Sequence, residues 1–220
     1  LDFDGVIADS EPLHLRAFQQ VLAERGIELT EGQYYERYLG FDDLGVFKAV
    51  GIDRGQAWSA ADVAGLVAKK AACLEELERD TSVLFPGAAA AIVRAAAVVP
   101  LAIASGALGI EIRRTLDRAN LTRCFAAIVS AEDTPASKPA PDPYRRAVEL
   151  LANALHDVSL SPADCVAVED SRWGLESAKA AGLRTVAVTS SYDESDLAGA
   201  DLIIPTLADL NLQDLQHLLS

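Results

Sequence analysis

The sequence has no methionine, three cysteines in 220 residues, and far fewer basic than acidic side chains. Cys73, Cys124 and Cys165 are odd in number and include no C-x-x-C pair. Neither a disulfide framework nor a zinc site is therefore expected, and a reducing cytoplasmic setting is the default. Each cysteine reads as a small buried hydrophobe. Lys and Arg total 19 against 33 Asp and Glu, a net charge of −14. Such a surface repels phosphate backbones and argues against nucleic acid or an anionic membrane as partner. An anionic substrate would need a metal or a local basic cluster to overcome that field. Long apolar runs are also missing. The longest, 88–104, contains Arg94 and Pro100, so it is not one spanning helix. It reads instead as a helix ending near Ala97 and a strand over 98–104. No secretory signal is visible. The start at Leu1 and the lack of methionine lead us to expect residues upstream of Leu1 and modified methionines missing from the sequence.

Half of the residues are hydrophobic, enough for a sizeable core. From about residue 86 onward, short apolar runs alternate with helical patterns. Strands are expected at 98–104, 125–130, 165–168, 184–188 and 202–204, with helices at 109–119, 143–155, 173–181 and 207–219. Short continuous apolar runs separated by helices predict a parallel sheet covered on both faces, a doubly wound α/β domain. Residues 12–82 carry helical periodicity alone, over 13–25, 31–38, 43–50 and 60–79. The organisation expected is an α/β core of 1–11 and 83–220 with an all-helical insert, 12–82, acting as a lid. Ser10-Glu11-Pro12 and Leu84-Phe85-Pro86-Gly87 are the expected hinges.

Parallel sheets place ligands at the carboxyl ends of their strands. Polar residues follow the apolar run at four such ends. Asp2-Phe3-Asp4-Gly5 offers two carboxylates in a glycine turn, hard oxygen ligands that suit Mg²⁺. Ser105-Gly106 offers a hydroxyl and free N–H groups for a phosphate oxygen. Lys138-Pro139 supplies a cation, and Glu169-Asp170 a second acidic pair. Each has a plain structural alternative. The first could be a solvated turn, the second ordinary turn chemistry, Lys138 a surface lysine and Glu169-Asp170 a helix N-cap. Their occurrence together at the strand ends of one sheet is the argument for a site.

The set resembles the haloacid dehalogenase superfamily of hydrolases, in the branch with a helical cap inserted after the first motif. It is most similar to β-phosphoglucomutase-like and phosphoglycolate-phosphatase-like members. The matching residues are Asp2 through Ser10 with Glu11-Pro12-Leu13-His14, then Ser105, Lys138 through Pro143, and Val168-Glu169-Asp170-Ser171 with Gly174 and Ala178 through Gly182. The strand before Asp2 is nearly absent. The resemblance implies that Asp2 attacks phosphorus and becomes an aspartyl phosphate. It implies Mg²⁺ held by Asp2, the Asp4 carbonyl and Asp170, with Glu169 in or next to the coordination sphere. Asp4 would serve as acid and base. Ser105, Gly106 and Lys138 would bind the phosphoryl oxygens, and Ser10 and Ser171 would support the ligands. The second aspartate, Asp4, argues against dehalogenase and phosphonatase chemistry.

Phosphatase and sugar phosphomutase remain, with phosphatase favoured. Where the mutases carry a cap arginine after the loop Tyr38-Leu39-Gly40-Phe41-Asp42-Asp43, this sequence has Asp43. His14 and Lys70 fall at positions that resemble cap-side substrate contacts, though either could be an ordinary surface residue. The expected partner is a small phosphorylated metabolite, bound by a monomer or weak homodimer.

Overall fold

The computed structural model describes residues 1–39, 41, 43–79 and 82–219. The chain divides into two compact units, Ser10–Val83 and Leu1–Asp9 with Leu84–Ser220. These limits lie one or two residues from the expected boundaries.

The first unit contains four helices among the described residues: α1 (Glu11–Ala23), α2 (Glu31–Arg37), α3 (Asp43–Asp53) and α4 (Ala60–Arg79). Pro12 sits in the first turn of α1, where its missing N–H costs nothing. Thr30 and Gln33 close a reciprocal capping box at the start of α2. The α1 stripe of Leu15, Phe18, Val21 and Leu22 packs with Tyr34, Phe47 and Leu66 into one buried core. Gly40 and Asp42, in the loop where the cap contact was sought, lie outside the described residues.

In the second unit the elements follow in order as α5 (Ala88–Ala96), β1 (Leu101–Ala104), α6 (Gly109–Arg118), β2 (Phe125–Val129), α7 (Asp142–Leu155), β3 (Val166–Glu169), α8 (Arg172–Ala181), β4 (Arg184–Val188), β5 (Leu202–Ile204) and α9 (Leu212–Leu219). β1 pairs in parallel with β2, and β3-β4-β5 form a second parallel group. Leu1 and Asp2 join the two groups. The Leu1 amino group donates to Ala102 O at 2.8 Å, Ala104 N to Leu1 O at 3.0 Å, and Asp2 N to Val168 O at 2.9 Å. The spatial order is thus β2, β1, Leu1-Asp2, β3, β4, β5. β1 is wholly buried and β4 is buried after Arg184, as expected of strands covered on both faces.

Three expectations need correction. The strand of 98–104 begins only at Leu101, because Val98 and Val99 bond back to Ala95 O and finish the helix. The helix expected over 207–219 is interrupted: Thr206 and Asp209 close a short turn of their own, and α9 starts at Leu212. The cysteines are half-buried and free rather than core residues. No helix among the described residues is long and apolar enough to cross a membrane.

Candidate active site

The site grows from the fixed position of Asp2 at the middle of the sheet. Its backbone N–H is held by β3, and its Oδ1 accepts from Phe3 N at 2.7 Å. The chain then turns sharply: Gly5 N donates to Ala8 O, and Ile7 N and Ala8 N both donate to Phe3 O. Gly5 has φ +75°, and a Cβ on it would lie 1.9 Å from Asp170 Oδ2. Only glycine lets this turn close over the acidic pair that ends β3.

Glu169 is the last residue of β3 and Asp170 the next; both are buried. One oxygen each from Asp2, Glu169 and Asp170 lies within 4.8 Å of the others. Lys138 bridges the cluster, with Nζ 2.8 Å from Asp2 Oδ2 and 2.5 Å from Glu169 Oε1. Asp170 Oδ2 accepts from the Ser191 hydroxyl, and Ser190 donates to Gly5 O. Glu169 Oε1 also accepts from Tyr144 at 2.6 Å. Its carboxylate lies flat on Gly174, where a Cβ would come within 1.9 Å of Glu169 Cδ.

Burial and the Asp2 charge raise the Glu169 pKa to about 7 and that of Asp170 to about 6. Burial works against the Lys138 charge, but Asp2 and Glu169 outweigh it and push its pKa above the ordinary lysine value. Once ionised, three carboxylates around one ammonium leave an excess of two negative charges. A divalent cation with oxygen preference would balance it, so this donor set fits Mg²⁺.

The structure thus brings together Asp2, Lys138, Glu169 and Asp170. Asp4 sits in the turn beside them, half-buried and bridged to Ala8. Ser105 follows β1, the strand next to Leu1-Asp2; it is buried, and its Oγ accepts from Ala107 N at 3.1 Å. Gly106 has open space where a Cβ would be. Ser171, not Asp170, is the N-cap of α8: its Oγ accepts from Gly174 N at 3.1 Å and lies 3.4 Å from Glu169 Oε2. Ser10 precedes α1 without a side-chain capping bond.

His14 and Lys70 belong to the helical unit and meet each other there. Lys70 is 1% exposed, so it is not a solvated lysine. Its Nζ donates to Asp43 Oδ1 at 2.7 Å, lies 3.0 Å from His14 Nδ1 and sits 4.8 Å from the Phe18 ring centroid. An ammonium only donates, so Nδ1 of His14 is the acceptor in this contact.

Sequence reasoning missed Tyr144, Ser190 and Ser191. The serines follow β4, and applying the strand-end rule to that strand as well would have found them. Tyr144 has only its place in the first turn of α7, six residues after Lys138, as a signal. A cavity of about 330 Å³ lined by Leu1, Ile92, Pro100, Leu101, Cys165 and Val166 lies toward the amino ends of β1 and β3, and none of the three clustered carboxylates lines it.

A family model described as haloacid dehalogenase-like hydrolase matches residues 1–188. Protein CbbY of Rhodobacter capsulatus is 33% identical over 99% of this chain and 96% of its own length. Hexitol phosphatase B of Escherichia coli is 30% identical over 97% of this chain and 94% of its own. Among solved structures, a mutant of CbbY from Rhodobacter sphaeroides in complex with xylulose-(1,5)bisphosphate superimposes with TM-score 0.77 at 26% identity, over 96% of this chain and 94% of that one. With its motif residues gathered at the strand ends and relatives along nearly its whole length, the chain belongs to the haloacid dehalogenase-like hydrolase family and groups with that family's phosphoric monoester hydrolases.

Proposed function

We propose that this enzyme is a Mg²⁺-dependent phosphatase for a small, hydroxyl-rich phosphorylated metabolite such as a sugar or polyol phosphate. The observation that carries the reading is the cluster of Asp2, Glu169 and Asp170 bridged by Lys138. Asp2, Asp170 and the Asp4 carbonyl would hold the ion, with Glu169 in or next to its coordination sphere. When bound, Mg²⁺ supplies charge neutralisation that lets a phosphate dianion approach the carboxylates.

The chain's own groups do the rest. An Asp2 carboxylate oxygen attacks phosphorus as the ester P–O bond breaks, giving an aspartyl phosphate. Asp4, as its acid form, gives a proton to the departing alkoxide and becomes a carboxylate. It then takes a proton from water, whose oxygen attacks phosphorus; the bond to Asp2 breaks and inorganic phosphate leaves. Lys138, Ser105 and the backbone N–H of Gly106 hold the phosphoryl oxygens, positioned charge and dipoles that cost no reorganisation during the reaction. In the helical unit, His14 and Lys70, whose Nζ lies 3.0 Å from the imidazole Nδ1, are proposed as contacts for the organic part of the substrate.

The phosphomutase alternative is less supported. A mutase must hold a distal phosphate with a cation, whereas Lys70 is already neutralised by Asp43 at 2.7 Å. The test is a panel of hexose phosphates, hexitol phosphates, phosphoglycolate and xylulose bisphosphate, with released phosphate as readout. Monophosphates of hydroxyl-rich skeletons are expected to be hydrolysed without a bisphosphate activator. Movement of phosphate between hydroxyls of one sugar, faster than its release, would overturn the reading.

A further inference from the structure

Glu169 is fully buried, yet it is held by a neutral donor as well as by a cation. Tyr144, itself 2% exposed, donates its hydroxyl to Glu169 Oε1 at 2.6 Å. Lys138 donates to the same oxygen at 2.5 Å, and its Nζ lies 5.2 Å from the centroid of the Tyr144 ring. One side chain therefore touches both members of the Lys138–Glu169 pair, the acid by its edge and the ammonium by its face. Gly174 closes the opposite side of the carboxylate.

We propose that Tyr144 is a positioning residue for the reaction: its hydroxyl fixes Glu169 so that Lys138 stays shared between Glu169 and Asp2. The inference rests on the phosphatase reading above and extends it to a residue that touches neither phosphate nor ion. Two donors fill the lone pairs of Oε1. The remaining oxygen, Oε2, is then the one turned toward Ser171 and available to the ion or its water. Without the hydroxyl, Oε1 keeps Lys138 as its single donor. The ammonium then shifts toward Glu169 and away from Asp2, and the carboxylate is free to rotate. α7 is suited to the task, since its first turn leads directly from the Lys138 loop and its apolar face, including Ala147 and Val148, is anchored in the core. A hydroxyl leaves the cluster's negative charge to the ion, whereas a second lysine would neutralise part of it.

The experiment compares wild type with Tyr144→Phe, Glu169→Gln and the double variant, each by calorimetric Mg²⁺ titration and by steady-state kinetics. Tyr144→Phe keeps the ring and removes only the hydroxyl. It is expected to weaken Mg²⁺ binding about tenfold and to lower kcat more than it changes KM. In the Glu169→Gln background the same substitution is expected to have no further effect, the mark of action through Glu169. A merely structural tyrosine would instead give additive losses, and a melting temperature in chelator reads its folding role separately. Mg²⁺ affinity and kcat unchanged in Tyr144→Phe, or additive effects in the double variant, would overturn the proposal while leaving the phosphatase reading intact. A wild-type protein that binds no Mg²⁺ would remove both.

Discussion

At the scale of single residues, the site depends on a few atoms with no room to move. Asp2 presents its carboxylate from a backbone held on both sides by neighbouring strands, so replacement by asparagine changes chemistry and not position. Asp2→Asn is expected to lower phosphate release by about 10³-fold or more while leaving the fold intact by circular dichroism, because an amide cannot form the acyl phosphate. Phosphate release within tenfold of wild type would exclude Asp2 as nucleophile. Gly174 is equally constrained, for a steric reason. A methyl group there would occupy the space of the Glu169 carboxylate at 1.9 Å. Gly174→Ala is expected to displace Glu169 and weaken Mg²⁺ binding more than tenfold, measurable by the same titration.

At the scale of elements, two helices carry the positioning. α8 begins at Ser171, whose hydroxyl both caps the helix and approaches Glu169 Oε2. Ser171→Ala is expected to cost about 1 kcal/mol in denaturant unfolding, the usual worth of an N-cap, and to lower Mg²⁺ affinity as well. A stability loss with no change in affinity would reduce Ser171 to a cap alone. α4 carries Lys70 to a buried position in the helical unit, where Asp43 pairs with it and its ammonium lies over the Phe18 ring. Lys70→Ala removes both the packing and the counter-charge of a partner that is 31% exposed at its side chain. The expected loss is about 1–3 kcal/mol, below that of a fully buried pair. Lys70→Met should restore the packing part only, and an unchanged unfolding midpoint in Lys70→Ala would show that the pair contributes nothing.

At the scale of the whole molecule, the acidic cluster links proton binding, metal binding and stability. In the metal-free protein the Glu169 pKa is raised to about 7 and that of Asp170 to about 6. An unfolded chain has these groups near 4. The folded state therefore holds their protons more tightly. The stability they contribute is complete below about pH 4 and is lost as pH rises through 6 to 7. Mg²⁺ affinity should run the other way, growing across the same window as the competing protons leave. Thermal melts at pH 5 and pH 8, in chelator and in excess Mg²⁺, read both slopes. Stabilisation by Mg²⁺ should be larger at pH 8, reaching about 2.7 kcal/mol at a hundredfold excess over Kd. An Asp170→Asn variant should flatten the difference, and equal stabilisation at both pH values would contradict the linkage.

Features that repeat locally or sit at a fixed offset were legible before any folding was considered. Short continuous apolar runs between helical stripes were enough for the α/β class, since a strand covered on both faces buries every side chain whereas a helix buries a stripe of period 3.6. Asp2, Lys138, Glu169 and Asp170 were legible because each stands at or after a strand end, where a parallel sheet exposes its ligands. Where the helix following Thr206 would break was not legible, since a local Thr206–Asp209 bond competes with helical periodicity. Tertiary structure alone decided which groups meet. Tyr144 reaches Glu169 25 positions away, Ser191 reaches Asp170 from the end of another strand, and Asp43 takes the charge of Lys70 from a separate helix. These contacts depend on strand order, helix rotation and the side a rotamer takes. Packing sets all three only after the chain has closed on itself.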